Sequence, residues 1–107
     1  MQVRIKTSKI ELTDAIESYI NEKVNMIEKY LNRVKVLNCD FEIEKSVGSQ
    51  HKGDIFRAEI NLQVPGEILR VEKTESDLYK AIDKVKDHLT EVVKKYKEKK
   101  IDKRRDQ

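Results

Sequence analysis

The sequence predicts an α+β domain: a two-layer sandwich of order β-α-β-β-β-α, with a four-stranded sheet and both helices packed on one of its faces. Three observations carry this expectation. Two segments alternate apolar and polar residues with period 2, two longer ones repeat apolar residues at helical spacing, and turn signals separate them. Each pattern is apolar on one side only, so the elements must meet along those sides.

Residues 2–6 alternate, with Val3 and Ile5 on one side, and predict a short first strand. Thr13 then offers a capping oxygen just before Asp14. Leu12, Ile16, Tyr19, Ile20, Val24, Ile27 and Leu31 follow along one stripe, which predicts an amphipathic helix over 14–31. Leu37, Cys39, Phe41 and Ile43 alternate with Asn38, Asp40, Glu42 and Glu44, the clearest strand signal in the chain. Ser46 to Asp54 is polar, holds Gly48 and Gly53, and reads as a loop. Phe56, Ala58, Ile60, Leu62 and Val64 then alternate with Arg57, Glu59, Asn61 and Gln63. Pro65-Gly66 marks a turn and Ile68 to Lys73 a further short strand, so an antiparallel meander is expected.

Thr74-Glu75-Ser76-Asp77 resembles a capping box, with Asp in place of Glu, that opens the last helix. Leu78, Ile82, Val85, Leu89, Val92 and Tyr96 follow in 4-3-4-3-4 spacing, with Ala81 and Val93 widening the stripe. The repeat ends near Lys100. Residues 1–100 are therefore expected to form the single domain, and residues 101–107 a basic, flexible tail.

At 107 residues the chain holds one core, and with 40% charged against 37% apolar residues that core must be small. No apolar run approaches the ~20 residues of a membrane span, and no signal-peptide pattern follows Met1; a cytoplasmic protein without a membrane partner is expected. One cysteine excludes an intrachain disulfide framework and any cysteine-based zinc cage. The net charge of +3 hides a segregation. Lys94 to Arg105 holds eight basic residues against Glu98 and Asp102, so the rest of the chain sums to −3. A polyanionic partner is the simplest reason for such an asymmetry, and a merely solvated, lysine-rich helix end is the alternative.

Catalytic chemistry finds little support. His51 lies in the loop and His88 in the second helix, neither with a partner at metal-ligand spacing, so no metal and no cofactor are expected. Three glycines make no phosphate-binding loop. Cys39 points to the apolar side of its strand and reads as a structural thiol rather than a nucleophile. Asp40, Glu42 and Glu44 share the other side, where a solvated face balanced by Arg57 is the expected reading. Tyr19 and Tyr96 fall on the apolar stripes, whereas Tyr79 falls off them and either stacks on a base or covers the helix end.

What remains is cationic surface. Lys23, Lys29 and Arg33 lie on or just beyond the first helix, and Lys80, Lys84, Lys94, Lys95 and Lys97 on the second, with Lys99 and Lys100 continuing it. With both helices on one sheet face, these side chains would share a surface that meets phosphates of a folded RNA by shape and backbone contacts.

Certain strings also resemble a known family. Glu11-Leu12-Thr13-Asp14-Ala15-Ile16, with Glu28-Lys29-Tyr30 after it, resembles the first helix of ribosome hibernation-promoting factors. Ser76-Asp77-Leu78-Tyr79-Lys80-Ala81-Ile82-Asp83 is similar to the family's Asp-Met-Tyr-x-Ala-Ile-Asp signature, and His88-Leu89 and Lys95-Tyr96-Lys97 continue in register. The resemblance covers Gln2 to about Lys100. It implies a fold like that of double-stranded-RNA-binding domains and a non-enzymatic inhibitor of translation. Such a protein docks on the small ribosomal subunit and its rRNA, where it blocks the messenger and transfer RNA channel; no small-molecule substrate and no DNA are implied. Long forms add a C-terminal domain that pairs ribosomes; this chain resembles the short form or the first domain of a longer one, and its oligomeric state, a monomer or more, is left open. The resemblance places Lys23, Lys95 and Lys97 at basic positions of the family, and Tyr79 and Asp83 in its signature. Three departures stand out. Glu17 replaces a frequent arginine, Met26 a frequent lysine, and His88-Leu89-Thr90-Glu91-Val92 a Lys-Leu-x-Arg-Gln type of run. Lys80, Lys84, Lys94 and the tail are expected to compensate. The rivals are a protein-interaction module or diverged paralogue using the acidic sheet face and, more distantly, a small enzyme using a carboxylate or histidine.

Overall fold

Alternating and helical patterns become six elements: β1 (Arg4–Ser8), α1 (Asp14–Leu31), β2 (Asn38–Val47), β3 (Asp54–Val64), β4 (Glu67–Glu75) and α2 (Leu78–Arg105). The structure is a computed structural model and describes residues 1–47 and 53–105. His51 and the turn signal at Gly48 lie outside the described residues. The sheet order is β1-β2-β3-β4; β1 runs parallel to β2, and the other two pairings are antiparallel. The parallel pair follows from the helix between its strands, because α1 carries the chain back to the end at which β1 began.

Period-2 patterning decides which side of the sheet is dry. Cys39, Phe41 and Ile43 of β2, Ala58, Ile60, Leu62 and Val64 of β3, and Leu69 and Val71 of β4 are all buried on the helix side. Against them α1 buries Ile16, Ile20, Val24, Ile27 and Leu31, and α2 buries Leu78, Ala81, Ile82, Val85, Leu89, Val93 and Tyr96. These residues form one core. The Cys39 thiol sits within it, its pKa pushed up to about 11 by burial and then by the charge of Asp40. That environment disfavours a thiolate.

Local chemistry sets the ends of the elements. The Oγ1 of Thr13 accepts the N–H of Ile16 at 3.2 Å, the capping bond its position predicts. At the other end of α1, Asn32 turns the chain at φ +53° while its N–H bonds the Glu28 carbonyl. Gly66 follows Pro65 with φ +89°, a turn position that a residue with a side chain would strain to adopt.

Several expectations need correction. The β2–β3 ladder extends through Ser46, Val47 and Asp54, three residues expected in the loop, because the two strands keep pairing past the end of the apolar pattern. Leu37 is exposed; it precedes β2 and has no facing helix to cover it. Thr74 and Glu75 still pair within β4, so the cap of α2 is Asp77 alone, whose carboxylate accepts the Tyr79 N–H at 3.0 Å. Helix α2 continues through Arg105, although its buried stripe stops at Tyr96 and Ile101 is exposed.

Candidate nucleic-acid interface

The two helices lie side by side and run in the same direction. Near the start of both, the Tyr19 hydroxyl donates to Asp83 at 2.6 Å and Lys23 reaches the same carboxylate at 3.3 Å. Near the end of α1, Lys97 Nζ donates to the Tyr30 carbonyl at 2.9 Å. That carbonyl belongs to the last turn, whose acceptors have no partner inside the helix, so Lys97 serves as a cap supplied from α2. A surface thus runs along both helices, with their starts aligned and α2 continuing past the end of α1.

Charge is unevenly divided along it. Helix α1 has four carboxylates and two lysines, whereas α2 from Leu78 to Lys100 has eight lysines and four carboxylates. Lys80, Lys84, His88, Glu91 and Lys95 fall on one exposed crest of α2, at three- and four-residue spacing. Among the described residues Lys29, Arg33, Lys80 and Lys95 make no salt bridge with a carboxylate. Lys84 is drawn to Glu75 at the end of β4, and that bond holds the Glu75 carboxyl below its usual range. Lys94 sits 3.5 Å from Glu91 and 5.2 Å above the Tyr30 ring, leaning towards α1.

The predicted residues therefore fall into neighbouring groups. Lys23, Tyr79 and Lys80 gather at the start of the helices. Tyr79 is 38% exposed and meets the Tyr19 ring edge-to-face at 4.8 Å, so it both covers the helix end and keeps an accessible edge. Lys84, His88 and Lys95 line the crest. Lys29, Arg33, Lys94 and Lys97 belong to the region where α1 ends. Lys99 and Lys100 point elsewhere: Lys99 pairs with Glu67 at 3.2 Å, and Lys100 lies 5.5 Å above the Tyr96 ring, beside the β3–β4 turn.

Between the two cationic ends the surface is electrically mixed. Met26, Tyr30, Asp87, Thr90 and Glu91 line a shallow groove between the helices together with Lys86 and Lys94. Two of the three family departures, Met26 and Glu91, meet in that groove. Lys86 went unnoticed in the sequence because it falls between the crest and the apolar stripe; its ammonium pairs with Asp87. Lys35, beyond the end of α1, was likewise missed, and isolated lysines in a loop give no periodic signal.

The Tyr19–Asp83 bond dominates the phenol's acidity. That bond, then burial and the Asp83 charge push its pKa up to about 12. With Lys23 4.8 Å above the ring and bonded to the same carboxylate, the group fixes one helix against the other.

On the opposite side, Arg57 balances the acidic row of the sheet's outer face as expected, and the balance extends further than the alternation shows. Arg57 bonds Glu42 and Glu44, and its guanidinium stands 3.6 Å from Glu59 and 3.7 Å from Glu72. Arg70 bonds Glu59 at 2.9 Å, and Arg4 pairs with Asp40 at 2.8 Å. Glu59 is only 7% exposed, because it stands on a central strand beneath two guanidinium groups. Burial pushes its carboxyl up, but hydrogen bonds from Arg70 and Asn61 and the two arginine charges outweigh it, leaving the pKa lowered.

Comparison with known proteins adds four findings. The family model for Sigma 54 modulation protein / S30EA ribosomal protein matches residues 3–101. The ribosome hibernation promoting factor of Pseudomonas putida is 31% identical over 99 residues, covering 92% of this chain and 89% of that protein. The ribosome hibernation promotion factor of Deinococcus radiodurans is 28% identical over 88 residues, and there the match covers 82% of this chain but only 44% of the relative. Among solved structures, the crystal structure of the Thermus thermophilus Protein Y N-terminal domain superposes with a TM-score of 0.70 at 30% identity, covering 90% of this chain and 99% of that one.

Proposed function

The chain belongs to the Sigma 54 modulation protein / S30EA ribosomal protein family, and from that premise we propose that it is a ribosome-associated hibernation factor. It acts by binding, not by catalysis. Its helix face docks on the small ribosomal subunit, lysines neutralise rRNA phosphates, and the body of the domain blocks the channel used by messenger and transfer RNA. Its place of action is the cytoplasm.

The observation that carries this reading is the separation of charge. Among the described residues Lys29, Lys80 and Lys95 stand on the helices without a carboxylate partner, while the sheet-face Arg4, Arg57 and Arg70 are held in ion pairs. Free cations on a rigid scaffold attract a polyanion by releasing its counterions, and they need no sequence-reading element. The hibernation-factor names of the relatives support the ribosome as that polyanion.

The test is sucrose-gradient co-sedimentation of the purified chain with ribosomes and with separated subunits. Saturable binding to the small subunit, displaced by transfer RNA, is the expected result. Binding to the large subunit alone, or binding indifferent to transfer RNA, would overturn channel occupation.

A further inference from the structure

Where α1 ends beside the β3–β4 turn, the surface holds a feature that docking on a lysine crest does not require. Leu31, Val34, Pro65 and Ile101 give apolar walls to an open hollow of about 510 Å³. That volume lies within the ~300–1,000 Å³ typical of small-ligand sites. Arg33, Lys35, Lys97 and Lys100 stand round it, and no carboxylate lines it among the described residues. Elsewhere on the helices Lys23, Lys84, Lys86 and Lys99 each have a carboxylate within salt-bridge reach, whereas here four open cations gather round one hollow. Two of the four rim cations are already positioned: Lys97 on the Tyr30 carbonyl and Lys100 over the Tyr96 ring. Arg33 and Lys35 are exposed, and their charge meets the negative end of the α1 dipole without cancelling their reach into solvent.

An apolar hollow ringed by uncompensated positive charge suits a ligand with a flat apolar body and anionic groups on both sides of it. A nucleotide within a strand has that make-up: a base with two π-faces, and a phosphate before and after. We propose that the hollow receives one unstacked base of a single-stranded RNA segment, with Arg33, Lys35 and Lys100 on the flanking phosphates. The inference rests on the ribosome reading for the source of the RNA and adds a site of different character. Lysines along a helix follow the backbone shape of folded RNA, whereas a hollow selects an unpaired nucleotide.

The experiment is fluorescence anisotropy of the full chain with a labelled single-stranded oligoribonucleotide and an abasic ribose-phosphate strand of equal length, at one fixed salt concentration. The base-bearing strand should bind roughly tenfold more tightly, from burial of the base against the aliphatic walls. Ile101→Asp, at an exposed position, should leave the melting temperature unchanged and bring the base-bearing strand down to the abasic level. Lys35→Ala with Lys100→Ala should weaken both strands. Equal affinity for the two strands in the unmodified protein would overturn the proposal. So would tighter binding of an acidic, leucine-containing peptide at the same residues. Co-sedimentation of the same protein with ribosomes separates the two ideas. If the chain sediments with ribosomes but shows no base preference, only the hollow's role is lost; if it does not sediment, the ribosome reading itself is lost.

Discussion

The two faces of this domain differ in how completely they close their charges: the sheet face ties up all three of its arginines, while the helix face leaves several cations open among the described residues. On the outer sheet face, Arg57 alone lies within 4 Å of four carboxylates, and Arg70 and Arg4 each have one. On the helix face, Lys29, Arg33, Lys80 and Lys95 have none among the described residues. Charges that close on their own neighbours contribute to the fold; charges left open are available to a partner. Backbone register explains the first case. Pairing Glu42 with Glu59 and Glu59 with Glu72 stacks three carboxylates across adjacent strands, a repulsive row unless a cation lies over it. Arg57, two positions along β3 and so on the same face, supplies that cation.

The comparison can be broken most forcefully at Arg57. Arg57→Ala leaves the Glu42–Glu59–Glu72 row under-compensated, with Glu59 largely buried, and should cost about 2 kcal/mol of stability. Ribosome binding of the folded protein should stay unchanged. A melting temperature equal to that of the unmodified chain would show that the sheet-face pairs are incidental.

Lys94→Glu with Lys95→Glu should do the reverse. Binding to the small subunit should weaken by at least ~10-fold, while stability moves by no more than ~0.5 kcal/mol, because both side chains are exposed. Glu91→Lys sharpens the same contrast. Placing a cation in the mixed groove should tighten binding a few-fold, and weaker binding would show that Glu91 faces a cation of the partner.

Acid tests the sheet face by itself. Glu59 has a lowered folded-state pKa, so its contribution is complete above the ordinary glutamate value of about 4.3 and is lost as pH falls through the folded value. Glu59→Gln should therefore flatten the loss of stability below about pH 4. An unchanged acid limb would mean that Glu59 is not among the groups that govern it. The smallest effect is expected at Lys84–Glu75, a surface pair whose removal by Lys84→Ala should leave thermal melts essentially unchanged.

Much of the fold was legible because burial here follows periodicity. Every residue of the stripe Ile16, Ile20, Val24, Ile27 and Leu31 is buried, as are Cys39, Phe41 and Ile43 on their strand. Leu37 broke the pattern because a strand's alternation does not reveal whether anything covers its first residue. Burial of Glu59 was illegible for a related reason: its neighbours Arg57 and Arg70 come together only when β3 and β4 pair. The interface was readable as a set of lysines but not as a geometry. Which lysines stay open depends on contacts such as Lys23–Asp83, Lys97–Tyr30 and Lys99–Glu67, made between residues far apart in the chain. The hollow near Pro65 likewise draws on three separate segments and has no motif of its own.

The most direct test of the central claim is the salt dependence of small-subunit binding, compared among the unmodified chain, Lys94→Glu/Lys95→Glu and Arg57→Ala. If open helix-face cations neutralise rRNA phosphates, log affinity falls linearly with log salt, and the lysine variant has the shallower slope. Arg57→Ala then retains the unmodified slope. Identical slopes for the unmodified chain and the lysine variant, or binding that ignores salt, would contradict the assignment of the helix face as the docking surface.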